Sequence, residues 1–136
     1  MTLQEFLEKY NGEFVEEAGS PDALNQCVDL ANRYIREVLG LPIIEWTNAV
    51  DFPSKADPSK YTWIENGESN YPLEGDLIIW KGTYGHIAIA LNGCTAMKLI
   101  CFEENNPLGT NAHVGTHNYN NVKGWLHPTQ IVNSDS

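Results

Sequence analysis

The spacing of apolar positions changes period near the middle of the chain. In residues 2–10, "TLQEFLEKY", Leu3, Phe6 and Leu7 share one side, and the spacing predicts a short helix. "NGEFVEEAGSPDA" (11–23) reads as a loop punctuated by Gly12, Gly19 and Pro21. The strongest helical pattern covers roughly residues 25–39. There Cys27, Ala31, Tyr34, Ile35 and Val38 fall at i, i+4, i+7, i+8 and i+11, forming one apolar stripe. Asp29, Arg33, Arg36 and Glu37 lie off that stripe. Asn25 suits the N-cap, and Gly40 and Pro42 supply a stop. The pattern therefore puts Cys27 in the first turn, on the buried edge of the helix.

A helical turn is expected near 47–52 and a strand at 61–65. "DLIIWKG" (76–82), "HIAIALNG" (86–93), "MKLICFEE" (97–104) and "KGWLHP" (123–128) are short apolar runs separated by Gly, Asn and Pro. They predict successive antiparallel strands, with "NGC" at 92–94 as a hairpin turn. "NAHVGTHNYNNV" (111–122), with Gly115 and several Asn residues, does not read as a helix. Residues 129–136 read as a tail or the start of a linker, leaving one domain over 1–128. Helices first and strands afterwards predict an α+β fold. The length of 136 residues suits a single core.

Charge narrows the partners. The net charge is −10, which argues against nucleic acid, since phosphate binding needs a basic face. No apolar run approaches the ~20 residues of a membrane span, so no membrane partner is expected. The N-terminal "MTLQEFLEKY" lacks the basic start and apolar run of a signal peptide; synthesis in the cytoplasm, or exit by a route without such a signal, is expected. Three cysteines, Cys27, Cys94 and Cys101, are too few and odd in number for a disulfide framework.

A cysteine at a helix start is either a small buried hydrophobe or a nucleophile, because backbone N–H groups and the helix dipole stabilise a thiolate there. A nucleophile needs a base. Of His86, His113, His117 and His127, His86 is best placed: it follows Tyr84-Gly85 and opens a predicted strand at the sheet edge. On that strand His86, Ala88 and Ala90 face one way and Ile87, Ile89 and Leu91 the other, and the alanines leave room for the Cys27 helix to pack closely. An imidazole base also needs a partner for its second nitrogen. The paired strand ends in Glu103, Glu104, Asn105 and Asn106, and spacing alone does not choose among them. Glu103 shares a face with Leu99 and Cys101, and Asn105 lies on the same side if the strand continues. His113 and His117 have helical metal-ligand spacing in a segment that is not helical, and there is no CxxC pair, so no metal site is expected. No GxSxG supports a serine nucleophile.

"NQCVDLANRYIREVLG", "EGDLIIWKGTYGHIAIAL", "FEEN" and "GWLHP", in this order, resemble the CHAP domain, the cysteine, histidine-dependent amidohydrolase/peptidase family. The likeness runs from about residue 12 to 128 and is greatest to catalytic domains of bacteriophage endolysins. The resemblance implies a papain-like α+β fold, with N-terminal helices packed on an antiparallel sheet. It implies Cys27 as nucleophile, His86 as base, Glu103 and Asn105 as the groups that orient it, and Gln26 as a helper at the oxyanion hole. Glu104 stands where many relatives have Gln, which leaves a register with Glu104 and Asn106 open. Some members bind calcium through alternating acids before the cysteine; "EEAGSPDAL" lacks that alternation, and no calcium or other cofactor is expected here. The implied partner is bacterial peptidoglycan, cut at an amide bond by a monomer that acts on the wall after release, with a wall-binding domain following in a longer protein. Trp46 and Tyr84 are expected to line the substrate groove. The contrasting expectation is a wall-binding module that keeps the fold without the chemistry.

Overall fold

Thr2 starts the first helix by a reciprocal cap. Its hydroxyl accepts from the Glu5 N–H, and the Glu5 carboxylate accepts from the Thr2 N–H. Helix α1 (Leu3–Tyr10) then buries Leu3, Phe6 and Tyr10. The computed structural model describes residues 1–17 and 26–129, with the side chain of Gln26 excepted. The expected cap at Asn25, the Gln26 side chain and tail residues 130–136 lie outside the described residues.

Helix α2 (Gln26–Tyr34) runs on into a π-helical turn, Ile35–Leu39, which ends at Gly40. Gly40 has φ +66° and returns its N–H to the Ile35 carbonyl, a left-handed cap that glycine adopts without strain. The buried side of α2 is wider than the expected stripe: Val28, Asp29, Leu30 and Asn32 are buried with Cys27, Ala31 and Tyr34. Asn32 brackets the Ile44 backbone with two hydrogen bonds, which ties the following segment to the helix. A 3-10 turn (Ala49–Asp51) leads into the short helix α3 (Phe52–Lys55), close to the turn expected there.

Six strands follow: β1 (Tyr61–Glu65), β2 (Leu77–Trp80), β3 (His86–Ala90), β4 (Leu99–Glu103), β5 (His113–His117) and β6 (Val122–Pro128). They form one sheet in the order β1-β6-β2-β3-β4-β5, and every described pairing is antiparallel. The expected meander holds from β2 to β4. The last strand, β6, then returns between β1 and β2, a placement that chain order did not suggest. Strand β5 arises from the Asn-rich segment that had shown no strand pattern. Residues 92–94 do not close a two-residue hairpin; the β3–β4 connection is longer and carries its own bridge between Thr95 and Lys98.

The two faces of the sheet have separate cores. Leu77, Ile79, Ile87, Ile89, Phe102 and Leu126 pack with Cys27, Val28, Ala31, Tyr34 and Phe6 from the helices. Ile78, Ala88, Ala90, Leu99, Cys101 and Trp125 form the core of the opposite face. The helices therefore cover the isoleucines of β3. The expectation that α2 packs on Ala88 and Ala90 is corrected: these alanines face away from it, where bulky Trp125 needs the room.

Candidate active site

Cys27 lies in the first turn of α2 and is 7% exposed. Its sulfur faces the start of β3. Burial pushes its pKa up to about 11, although the backbone N–H groups of Ile87 and Val28 favour the thiolate; the charges of Glu104 and Asp29 push further upward. The helix start alone would have suggested a lowered value. Burial outweighs it, so the group rests as a thiol at neutral pH and would need a base to act as a nucleophile.

His86 is the residue next to Ile87. Its position is fixed from both sides. Gly85, at φ +74°, brings the chain so close to the 3-10 turn that a Cβ there would lie 2.7 Å from the Val50 nitrogen and from the Trp80 carbonyl oxygen. The Val50 N–H donates to the Tyr84 carbonyl at 3.0 Å and locks the same loop. The Trp80 ring lies 5.1 Å from the His86 ring, centroid to centroid. His86 Nε2 then reaches Glu103 Oε1 at 2.8 Å.

Glu103 ends β4 and is 1% exposed. Burial alone would raise its pKa, but donors from His86, His117 and Asn106 overcome that and hold it down at about 2. The carboxylate is thus ionised and can only accept. Oε1 accepts from His86 and, at 3.1 Å, from Asn106 Nδ2; Oε2 accepts from His117 Nε2 at 2.6 Å. A Cβ at Gly115 would stand 1.7 Å from Oε2, so the carboxylate occupies space that any side chain there would fill.

Asn105 does not follow Glu103 on the same face. Strand β4 stops at Glu103, and Asn105 has φ +63°, which turns the chain. Its Oδ1 accepts from the Gly109 N–H at 2.6 Å. Asn106 is the amide that donates to Glu103, so the pair on the carboxylate side is Glu103 with Asn106, a combination neither sequence register contained. Glu104 points to the helix face instead. It is fully buried, accepts from the Val15 N–H, and its pKa is pushed up to about 8 by burial and by nearby Asp29.

Trp46 is half-buried, and its buried indole Nε1 has no hydrogen-bond partner among the described residues. Tyr84 is 63% exposed on the loop before His86. Cys101, Glu103 and His117 bring one donor atom each within 4.8 Å of one another. The 2.6 Å between Glu103 and His117 is a charge-assisted hydrogen bond. Two ligands on a tetrahedral zinc ion with bonds of about 2.0 Å would stand about 3.3 Å apart, so the cluster is built as a hydrogen-bonded cradle.

A cysteine at a helix start, a histidine opening the adjoining strand and a buried carboxylate behind the histidine occur here in the chain order of the motifs. The CHAP domain family model matches residues 17–106. The chain belongs to the CHAP domain family. It is 30% identical over 121 residues to endolysin PlyTW of Staphylococcus phage Twort, spanning 80% of this chain and about a quarter (26%) of that protein. Among solved structures, the wild-type endolysin LysIME-EF1 superposes with a TM-score of 0.77 at 24% identity, covering 94% of this chain and 65% of that one. Ly7917, solved with the hydrolyzing product of MDP, gives 0.69 at 15% identity over 93% and 61%. These likenesses establish the papain-like α+β fold of this CHAP domain.

Three features of this CHAP domain's site were not read from the sequence. His117 sits on a strand with no strand pattern, Asn106 is reached only by the turn at Asn105, and Gly115 matters through the space it leaves. The only signal is the nearness of two histidines and a glycine in "HVGTH", in a segment whose glycine and asparagines speak against a helix.

Proposed function

We propose that this CHAP domain hydrolyses an amide bond in bacterial peptidoglycan, with Cys27 as nucleophile. The observation that carries the reading is the anchoring of His86 Nε2 on buried, ionised Glu103, beside the backbone that faces the Cys27 sulfur. With Nε2 holding its hydrogen, Nδ1 is the ring nitrogen able to take a proton. His86 Nδ1 accepts the Cys27 proton as the sulfur attacks the amide carbonyl. The Cys27 backbone N–H and the Gln26 amide stabilise the oxyanion. His86 then gives its proton to the leaving amine, and water releases the acyl group in a second round. Glu103 stabilises the imidazolium formed in between. The endolysin relatives support the wall as substrate, and both muramoyl-alanine amide and cross-bridge peptide bonds fit this chemistry.

Trp46, and Tyr84 on the loop before His86, are proposed to bind the peptide stem. Since the matched stretch covers only 26% of the phage relative, we assign wall attachment to a region outside this domain, acting after release from the cell that makes it. The test is clearance of purified cell walls by the parent and by Cys27→Ala. The variant is expected to fold and to lose all activity. Clearance by Cys27→Ala at the parent rate would overturn the mechanism. Mass spectrometry of the released fragments identifies the bond.

A further inference from the structure

Glu103 has one negative charge and two histidines. His86 from β3 donates to Oε1 at 2.8 Å, and His117 from β5 donates to Oε2 at 2.6 Å. The Trp80 ring lies against both, 5.1 Å from His86 and 5.5 Å from His117. We propose that His117 is a positioning residue for His86: it holds the second oxygen of Glu103 so that the first stays aimed at His86, and it competes with His86 for the same charge. This rests on the proposed Cys27–His86 chemistry.

The positioning follows from the contacts on the carboxylate. Oε2 lies in the slot left by Gly115, and His117 is its donor there. Without His117 this buried oxygen loses that bond, and the carboxylate gains freedom to rotate. Rotation would carry Oε1 away from His86 and release the ring from its Nε2–H tautomer. A catalytic base that is free to turn loses the alignment on which its rate depends.

The competition follows from charge. An ionised carboxylate stabilises one imidazolium well, and a second positive ring on the same group gains less. Among the described residues, the groups facing His117 are Glu103 and Cys101 from β4, Trp80 from β2, and His86 across the carboxylate from β3. On its own strand His113 shares the face, with its Nε2 held on the Asn106 carbonyl oxygen at 2.9 Å. Glu103 is thus the only carboxylate in the group. His117, 29% exposed at its side chain, draws on the same carboxylate that anchors His86.

The experiment measures Cys27 alkylation by iodoacetamide, located by peptide mass spectrometry, from about pH 5 to about pH 9 in the parent, His117→Gln and His117→Ala. Wall clearance and circular dichroism are recorded in parallel. Glutamine keeps a neutral donor and cannot become charged. His117→Ala is expected to slow alkylation and clearance about tenfold or more at neutral pH with an unchanged spectrum. His117→Gln keeps a donor to the second carboxylate oxygen and is expected to recover most of the rate. Parent-like rate and profile in His117→Ala would overturn the proposal, and so would a His117→Gln variant as slow as His117→Ala. Clearance by Cys27→Ala would sink the wall-hydrolase reading alone, because the alkylation comparison needs no wall substrate.

Discussion

His86 donates its Nε2–H to Glu103 Oε1 across 2.8 Å, and this one bond decides which ring nitrogen can act as a base. Glu103 is ionised and cannot donate, so the hydrogen must sit on the histidine. Nδ1 is left bare. In the proposed mechanism the buried Cys27 thiol, with its pKa pushed up to about 11, depends on that nitrogen far more than an exposed cysteine would.

Glu103→Gln tests the dependence. The amide can turn its NH2 toward His86 and select the wrong tautomer. Wall clearance is expected to fall by roughly 10²–10⁴-fold while the fold is kept. A loss below about threefold, in a folded variant, would mean that Glu103 does not set the tautomer.

Gly115→Ala is a steric version of the same experiment. The new methyl carbon would start 1.7 Å from Oε2, so the carboxylate must move and its bonds to His86 and His117 cannot both survive. Gly115 does not have a left-handed backbone, so alanine imposes no conformational strain. Activity is expected to drop about tenfold or more with a small change in melting temperature. Unchanged kinetics in this variant would contradict the tight cradle.

Cysteine labelling separates activation from exposure. Cys94 is half-buried, and Cys101 is fully buried with its pKa raised by burial. His86→Ala is expected to slow alkylation of Cys27 strongly and leave that of Cys94 unchanged. Equal slowing at both positions would point to a general change in structure.

Glu104 predicts an alkaline weakness. Its folded pKa of about 8 lies above the ordinary 4.5, so the folded state holds this proton more tightly than the unfolded chain. Stability is therefore fully present below 4.5, declines above it, and the contribution is gone once the pH passes about 8. A shift of this size corresponds to a few kcal/mol. Glu104→Gln is expected to flatten the decline, measured by urea unfolding across that range. Glu103 acts with the opposite sign: its contribution is present above 4.5 and is lost as pH falls toward about 2. An equally steep alkaline decline in Glu104→Gln would remove Glu104 as its source.

The net charge of −10 predicts the salt response. Walls rich in anionic polymers repel such a domain, and salt screens repulsion. Clearance by this domain alone is expected to be flat or rising from low to physiological ionic strength. A steep fall with the protein still folded would reveal an attractive basic patch.

Local pattern determined a good deal by itself. The apolar stripe from Cys27 to Val38 predicted a helix and its end at Gly40, and short apolar runs bounded by turn residues predicted strands at the positions of β2, β3, β4 and β6, with a strand also expected at β1, because such patterns are written in near neighbours. The motifs around Cys27 and His86 made the family legible before any coordinates. Tertiary structure decided what depends on contacts between distant segments. Strand β6 inserts between β1 and β2, and β5 forms because it pairs with β4 rather than because "HVGTH" favours a strand. Burial decided that Cys27 rests as a thiol and that Glu104 holds a proton, since desolvation is a property of the packed interior. The left-handed turn at Asn105 gave the Glu103 contact to Asn106, and the pairing of β5 brought His117 onto the carboxylate that orients His86. Alternation along a strand holds only while the strand lasts, and where β4 ends was set by the loop packed beyond it.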